Sequence, residues 1–369
     1  MSWQEELKKS IRKAAELIAV LGLSPEDEAR YARLIDQYPM MITPYYLSLA
    51  DLSNPEDPIR KMCIPSFDEL DSEGSLDTSG EADNTVLNGV QHKYKPTALM
   101  LSTNQCAMYC RHCFRRRMVG LSNDELNKRV DEAVDYLKQH TEVSNILISG
   151  GDPLVNPTQI IGRYLHDLTR IDHLDFIRFG SRIPVTLPER IYGDNELLDL
   201  FAQYADKKAI SVVTQFNHPR ELTEESLKAI RALTGRGVTV KNQIVLLQGV
   251  NSDPEVLSEL LKGLTRFNIA PYYIFQCRPV SGVKGRFQIP LLDGCDIVDK
   301  AKAKQNGFGK SLRYAMSHPL GKIEIIGRLP DGEMIFKFHQ NKYPEDSARI
   351  FTRRLSPADT WLDGDLNGV

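Results

Sequence analysis

The stretch Ala98-Leu99-Met100-Leu101-Ser102-Thr103-Asn104-Gln105-Cys106-Ala107-Met108-Tyr109-Cys110-Arg111-His112-Cys113 joins a short apolar run to a loop holding three of the chain's six cysteines within eight residues. Residues 98–102 have the length and apolarity of a buried strand, and the polar residues from Thr103 end it. Similar runs follow at 144–149, 174–179, 209–215, 238–247 and 270–276, with helix-period segments between them at about 124–140, 157–170, 194–205, 223–234 and 254–267. Strands separated by single helices form right-handed βαβ units on a parallel sheet. The expected fold class is α/β, a partial (β/α)6 barrel of the TIM type. Chemistry in such barrels sits in the loops after the strands. Here those loops are Thr103 to Arg117, Ser149-Gly150-Gly151-Asp152-Pro153, Gln215-Phe216-Asn217-His218-Pro219 and Gln276-Cys277-Arg278.

Around this barrel, assigned to residues 93–280, the chain divides into three further regions. Residues 1–65 read as helical: Leu7, Ile11, Ala14, Ile18 and Leu21 recur at helical spacing and predict one amphipathic helix, stopped by Gly22 and Ser24-Pro25. A second helix starts after Ser24 and runs toward Tyr31, Leu34 and Ile35. Residues 66–92 hold seven acids, no Lys or Arg, and many Ser and Gly, and read as a solvated linker or lid. After about residue 280 the alternation breaks, and 281–369 reads as a strand-rich segment covering the barrel mouth.

Composition excludes several classes. Of 369 residues, 41% are hydrophobic and 26% charged, which is ordinary globular usage and argues against disorder, a collagen-like fibre or a coiled coil. The 46 basic residues nearly balance 49 acids, so no broad electrostatic footprint for nucleic acid or anionic membrane is visible. The start, MSWQEELKK, lacks an apolar signal core, and the expected compartment is the cytoplasm.

Cys106, Cys110 and Cys113 form C-x3-C-x2-C. Three thiolates on one loop can hold three irons of a [4Fe–4S] cluster, leaving the fourth iron open. A zinc site completed by His112 or Cys277 would use the same residues, as would three unconnected thiols. The wider text, Cys106 to Cys113 followed by Phe114-Arg115-Arg116-Arg117, resembles the signature of radical S-adenosylmethionine (SAM) enzymes, and specifically the lysine 2,3-aminomutase family. The resemblance extends over most of the chain, through Tyr38-Pro39, Ile42 to Tyr46, Ser149 to Leu154, Phe216 to Pro219, Asn242-Gln243 and Lys322.

That resemblance implies a [4Fe–4S] cluster on the three cysteines, SAM, and pyridoxal 5′-phosphate (PLP) bound covalently to Lys322 in the C-terminal segment. It implies SAM contacts from Gly150, Gly151, Asp152, Asn217, His218 and Gln243, and Arg115 as the grip on the substrate α-carboxylate. The reaction implied takes a hydrogen from the β-carbon of an amino acid, moves the amino group from α to β and returns the hydrogen. The implied partners are a small amino-acid substrate, a flavodoxin- or ferredoxin-type electron donor and further copies of the chain, with no nucleic acid and no membrane.

This sequence departs from the family's pattern at three places. Lysine-specific members carry an acid seven residues before the PLP lysine to hold the distant ammonium, and here that residue is Ala315. His318-Pro319-Leu320-Gly321 replaces a run of glycines before Lys322, and the PLP-phosphate residues are matched by Lys93 and Lys95 but not at Thr97. The C-terminal cysteines that bind structural zinc in some members are missing, so no zinc is expected. Two alternatives remain: a non-mutase radical SAM enzyme that reduces, dehydrogenates or decarboxylates an amino-acid-like substrate, and an iron–sulfur or zinc protein binding nucleic acid through Arg111 to Arg117.

Overall fold

In the computed structural model, which describes residues 2–127 and 129–369, the described strands form one twelve-stranded sheet whose spatial order follows chain order. An antiparallel entry, β1 (Thr85–Leu87) and β2 (Val90–Tyr94), leads to the parallel strands. These are β3 (Thr97–Thr103), β4 (Asn145–Gly150), β5 (Phe176–Gly180), β6 (Ala209–Thr214), β7 (Thr239–Leu246), β8 (Ala270–Gln276) and β9 (Arg313–His318). The sheet ends antiparallel with β10 (Gly321–Arg328), β11 (Met334–Asn341) and β12 (Ile350–Arg353).

The N-terminal region is helical, with α1 (Trp3–Lys8), α2 (Ala14–Leu21) and α3 (Glu26–Gln37). The single helix expected over Leu7 to Leu21 is therefore broken. Ile11 leaves it to form an antiparallel bridge with Ile42, and the Glu16 carboxylate then accepts from the freed N–H groups of Arg12 and Lys13 at the new start. A bridge to a residue about 30 positions away leaves no mark on local periodicity.

The crossover helices are α4 (Val130–Gln139), α5 (Thr158–Leu168), α6 (Asn195–Ala205), α7 (Glu224–Thr234), α8 (Pro254–Arg266) and α9 (Leu291–Ala303). In α8, Asp253 caps the first turn, Pro254 occupies the first helical position, and Leu257, Leu260, Leu261 and Leu264 form one buried stripe. Burying each leucine contributes about 2 kcal/mol. The sixth crossover, α9 to β9, corrects the expectation that alternation stops near residue 280. Its signal is weak because Gly294 interrupts the helix pattern; a Cβ there would sit 2.3 Å from the Tyr314 hydroxyl.

Strand periodicity divides the sheet into two faces. Ile146, Ile148, Ile177, Phe179, Val240, Ile244 and Leu246 pack in the core, and the alternate positions Asn145, Leu147, Ser149, Arg178, Lys241 and Gln243 line a cavity. The acidic segment 66–92 packs against the barrel, with Glu69 and Glu81 buried and Ser79, Glu81, Asn84 and Gln91 lining the cavity, so it is not a solvated linker throughout. Among the described residues no helix is long and apolar enough to cross a membrane.

Candidate active site

The cavity encloses about 590 Å³ and reaches from Cys106, Cys110 and Cys113 at one end to Lys322 at the other. At the cysteine end the β4 loop crosses the cysteine loop backbone to backbone. Gly151 N–H donates to the Thr103 carbonyl at 2.6 Å and Asp152 N–H to that of Gln105 at 2.7 Å. A Cβ on Gly150 or Gly151 would come within 2.3 Å of those carbonyl oxygens, and Gly150 has a φ of +115°. The two glycines are thus required for close approach to the cysteine loop. The Asp152 carboxylate accepts from Ser181 Oγ and from the N–H groups of Leu154, Arg182 and Ile183, joining the loops after β4 and β5. Burial pushes its carboxyl up to about 6 despite those four hydrogen bonds. The positioned Arg182 donates from Nη1 to Cys110 Sγ at 2.9 Å and from Nη2 to Glu221 and the Tyr46 hydroxyl.

The four arginines of the cysteine motif separate into two groups. Arg111 and Arg116 both donate to Glu69, which Arg286 also meets at 3.2 Å. Burial alone would raise the Glu69 carboxyl, but these three guanidinium groups hold it below the usual carboxylate range. Arg115 instead faces the cavity, with Nε 2.8 Å from Glu81 and Nη1 3.1 Å from Ser149 Oγ. Arg117 also pairs with Glu81, at 2.8 Å. Burial raises the Glu81 carboxyl while Arg115, Arg117 and Arg278 pull it below the usual range. The Phe114 ring lies against both Arg115 and Arg278, whose guanidinium carbons are 4.7 and 4.1 Å from its centroid.

At the far end, a tight β9–β10 hairpin through Pro319-Leu320 sets Lys322 opposite Ser317 of β9 and Gln340 of β11. Gly321 fits against the Gln340 carbonyl, 2.2 Å from where a Cβ would lie, so this glycine keeps the space that the missing glycine run would also supply. Lys322 Nζ donates to Gln340 Oε1 at 3.1 Å and lies 4.5 Å from the Tyr273 ring centroid. Burial, helped by Arg178, Arg278 and Arg313, pushes its amine down to about 7. Lys93 and Thr97 line the same cavity, whereas Lys95 is exposed outside it. Arg178 and Lys241, charged residues inside runs otherwise read as plain strands, add cations there.

Gln243 lines the cavity, but Asn217 and His218 do not. Asn217 is fully buried with its side chain spent on Val245 N–H and on His112 Nε2, and His218 Nδ1 caps the next turn by accepting from Arg220 N–H. In this structure both brace the loop through protein partners. Sequence reading missed Arg182, Arg178 and Lys241, and passed over Arg278 as one member of a loop.

A family model described as the radical SAM superfamily matches residues 100–261. The chain is 37% identical over 312 residues to L-lysine 2,3-aminomutase of Acetoanaerobium sticklandii, covering 83% of this chain and 73% of that protein. A protein of Aquifex aeolicus (strain VF5) that carries the same name provisionally is 38% identical over 342 residues, 92% of this chain and 91% of its own. The chain belongs to the lysine 2,3-aminomutase family of radical SAM proteins. It is also 34% identical over 321 residues to glutamate 2,3-aminomutase of Clostridioides difficile, 86% of this chain and 74% of that enzyme. Among solved structures, a radical SAM methyltransferase from Sphaerobacter thermophilus is similar at a TM-score of 0.33 and 15% identity, over 61% of this chain and 68% of that one.

Membership of the aminomutase family brings its cofactor set: a [4Fe–4S] cluster, SAM and PLP. The residues present fit it. Among the described residues, the one set of three or more His, Cys, Asp or Glu ligand atoms mutually within 4.8 Å is His92, His140 and Glu142. At least one pair of the three cysteine sulfurs is therefore more than 4.8 Å apart, beyond the roughly 3.8 Å that separates thiolates on one tetrahedral zinc with bonds of about 2.3 Å. A cluster that places each sulfur on a different iron accepts the wider spread. At the other end, a buried amine near neutrality among cations suits an aldehyde cofactor that carries a phosphate.

Proposed function

We propose that the protein is a PLP-dependent radical SAM 2,3-aminomutase, moving the amino group of a small amino acid from the α to the β carbon. One observation carries this: the three cysteines and Lys322, 209 residues beyond Cys113 in the chain, face one cavity of about 590 Å³. When bound, the cluster and SAM supply a carbon-centred radical and PLP an aromatic ring that spreads the unpaired electron of a migrating nitrogen. A non-mutase radical SAM enzyme needs no lysine of this kind at the other end.

The chain's own residues then have these roles. Cys106, Cys110 and Cys113 hold the cluster, with Arg182 donating a charge-assisted hydrogen bond to the Cys110 sulfur, the outer interaction that tunes such centres. Gly150, Gly151, Asp152 and Gln243 form the SAM side of the cavity. Lys322 presents a neutral amine to the PLP aldehyde, and Lys93, Arg178 and Lys241 offer charge to its phosphate. Arg115, oriented by Ser149 and Glu81, receives the substrate α-carboxylate through the planar fork of its guanidinium. Glu69 and Glu81 hold segment 66–92 over the mouth, which excludes water from radical chemistry. A one-electron donor of flavodoxin or ferredoxin type fits the low potential needed to cleave a sulfonium. A cytoplasmic homo-oligomer completes the proposal by analogy with the family.

Anaerobic reconstitution with iron, sulfide, PLP, SAM and a strong reductant, followed by incubation with amino acids, tests it. A β-amino acid in the product supports the proposal. Accumulation of 5′-deoxyadenosine with no β-isomer of any amino acid refutes it.

A further inference from the structure

The relatives of this chain include a lysine and a glutamate 2,3-aminomutase, whose substrates carry opposite side-chain charges, and the cavity itself favours one sign. The carboxylates lining it are Glu81 and Asp152. Both are committed: Glu81 to Arg115 and Arg117, Asp152 to Ser181 and three backbone N–H groups. No described acid is left to receive a side-chain ammonium. The wall where the resemblance would place one is Ala315, fully buried in β9 beside Phe275. Removing an ammonium from water without such a partner costs several kcal/mol.

The opposite charge has a ready place. Arg278 follows the C-terminal end of β8 and lines the cavity, and its Nη1 is sealed from solvent with no hydrogen-bond partner. Buried guanidinium donors in folded proteins are nearly always paired. Burial brings Arg278 down to about 10, so it stays cationic at neutral pH. It shares the Phe114 ring with Arg115, so it lies beside the carboxylate grip, on the cavity that Lys322 also lines. The other spare cations lie elsewhere. Arg178 is central in β5, paired in register with Leu147, and Lys241 lies in the first half of β7 opposite Val213. Arg278 beyond the end of β8, and Arg178 and Lys241 within their strands, offer charge for two anions, a second carboxylate on the substrate and the cofactor phosphate.

We infer that the substrate is an α-amino acid whose side chain ends in a carboxylate, gripped by Arg278 while Arg115 holds the α-carboxylate. This rests on the aminomutase function proposed above and specifies its substrate class.

The holoenzyme and its Arg278→Gln and Arg278→Lys variants should be compared on aspartate, glutamate, leucine and lysine. Two readouts serve: β-isomer formation, and the change in the PLP absorption band when each amino acid is added without SAM. Wild type should turn over aspartate or glutamate with kcat/KM at least about 100-fold above that for lysine. Arg278→Gln should lower that value about 100-fold, mostly through KM, with iron and PLP contents as in wild type, and Arg278→Lys should restore part of it. Preference for lysine or leucine overturns the inference, as does undiminished turnover of the acidic substrate by Arg278→Gln. Loss of PLP from Arg278→Gln also overturns it, because Arg278 would then serve the phosphate. Should no β-isomer form from any amino acid, the aminomutase proposal itself fails; a band change with acidic amino acids alone then still supports the Arg278 assignment, and one with lysine contradicts it.

Discussion

The two ends of the cavity are built on different principles. At the cysteine end, the three sulfurs come from eight consecutive residues, and the two charged groups beside them are heavily engaged: the Asp152 carboxylate has four donors, and Arg182 is shared among Cys110, Glu221 and Tyr46. At the lysine end, β2, β5, β7, β8, β10 and β11 each contribute a residue, and cations outnumber acids, with Arg278 keeping an unpaired donor. A closed polar network fixes one geometry, whereas spare donors wait for a ligand. On the proposed function, the difference assigns chemistry common to the superfamily to the contiguous end and substrate choice to the assembled one.

Substitutions that separate the ends put this to the test. Cys113→Ala should abolish iron retention and SAM cleavage, a fall of at least about 1,000-fold, while PLP still attaches to Lys322. Loss of PLP attachment together with iron would show the ends to be one unit. Lys322→Ala should do the converse. Borohydride reduction would no longer fix PLP to the chain, and iron content and reductive SAM cleavage would persist.

The segment over the mouth ties the ends together, so its anchors should affect stability more than chemistry. Glu69→Gln leaves Arg111, Arg116 and Arg286 around a neutral amide and should cost about 3 kcal/mol, read as a lowered midpoint of thermal unfolding with iron still bound. Glu69 and Glu81 both have carboxyls held below the usual range in the fold. Their contribution is present above the unfolded value of about 4.3 and is lost as pH falls through the lowered folded value, so protease sensitivity of residues 66–92 should rise only under acid. Lys322 has a smaller dependence in the same direction, centred at higher pH. Its amine is lowered to about 7, so the neutral form accumulates above that pH, and PLP attachment should be about tenfold faster at pH 8 than at pH 6. A rate still climbing steeply between pH 9 and 10 would return Lys322 to an ordinary exposed lysine.

Much of this was legible in the sequence. All six barrel strands and the five helices between them lie where the alternation of apolar runs and helical periods put them, because each βαβ unit writes its burial pattern locally. The cysteine loop was legible for the same reason. What escaped depended on residues distant in the chain. Ile11 breaks a helix to meet Ile42, and Glu69 and Glu81 look solvated among Ser and Gly until the arginines that bury them are folded against them. Arg178 and Lys241 look like tolerated charges in strands until the sheet curves and turns their face inward. Asn217 and His218 were placed in the right loop, but one-dimensional spacing does not say which side of a loop faces the cavity.

The most direct measurement follows a hydrogen. The substrate amino acid, deuterated at its β-carbon, is turned over by the reconstituted holoenzyme and the product analysed by mass spectrometry and NMR. Amino migration with return of the abstracted hydrogen predicts a β-amino acid carrying deuterium at its α-carbon. Deuterium accumulating in 5′-deoxyadenosine, one per SAM consumed and with no β-amino acid formed, would contradict it.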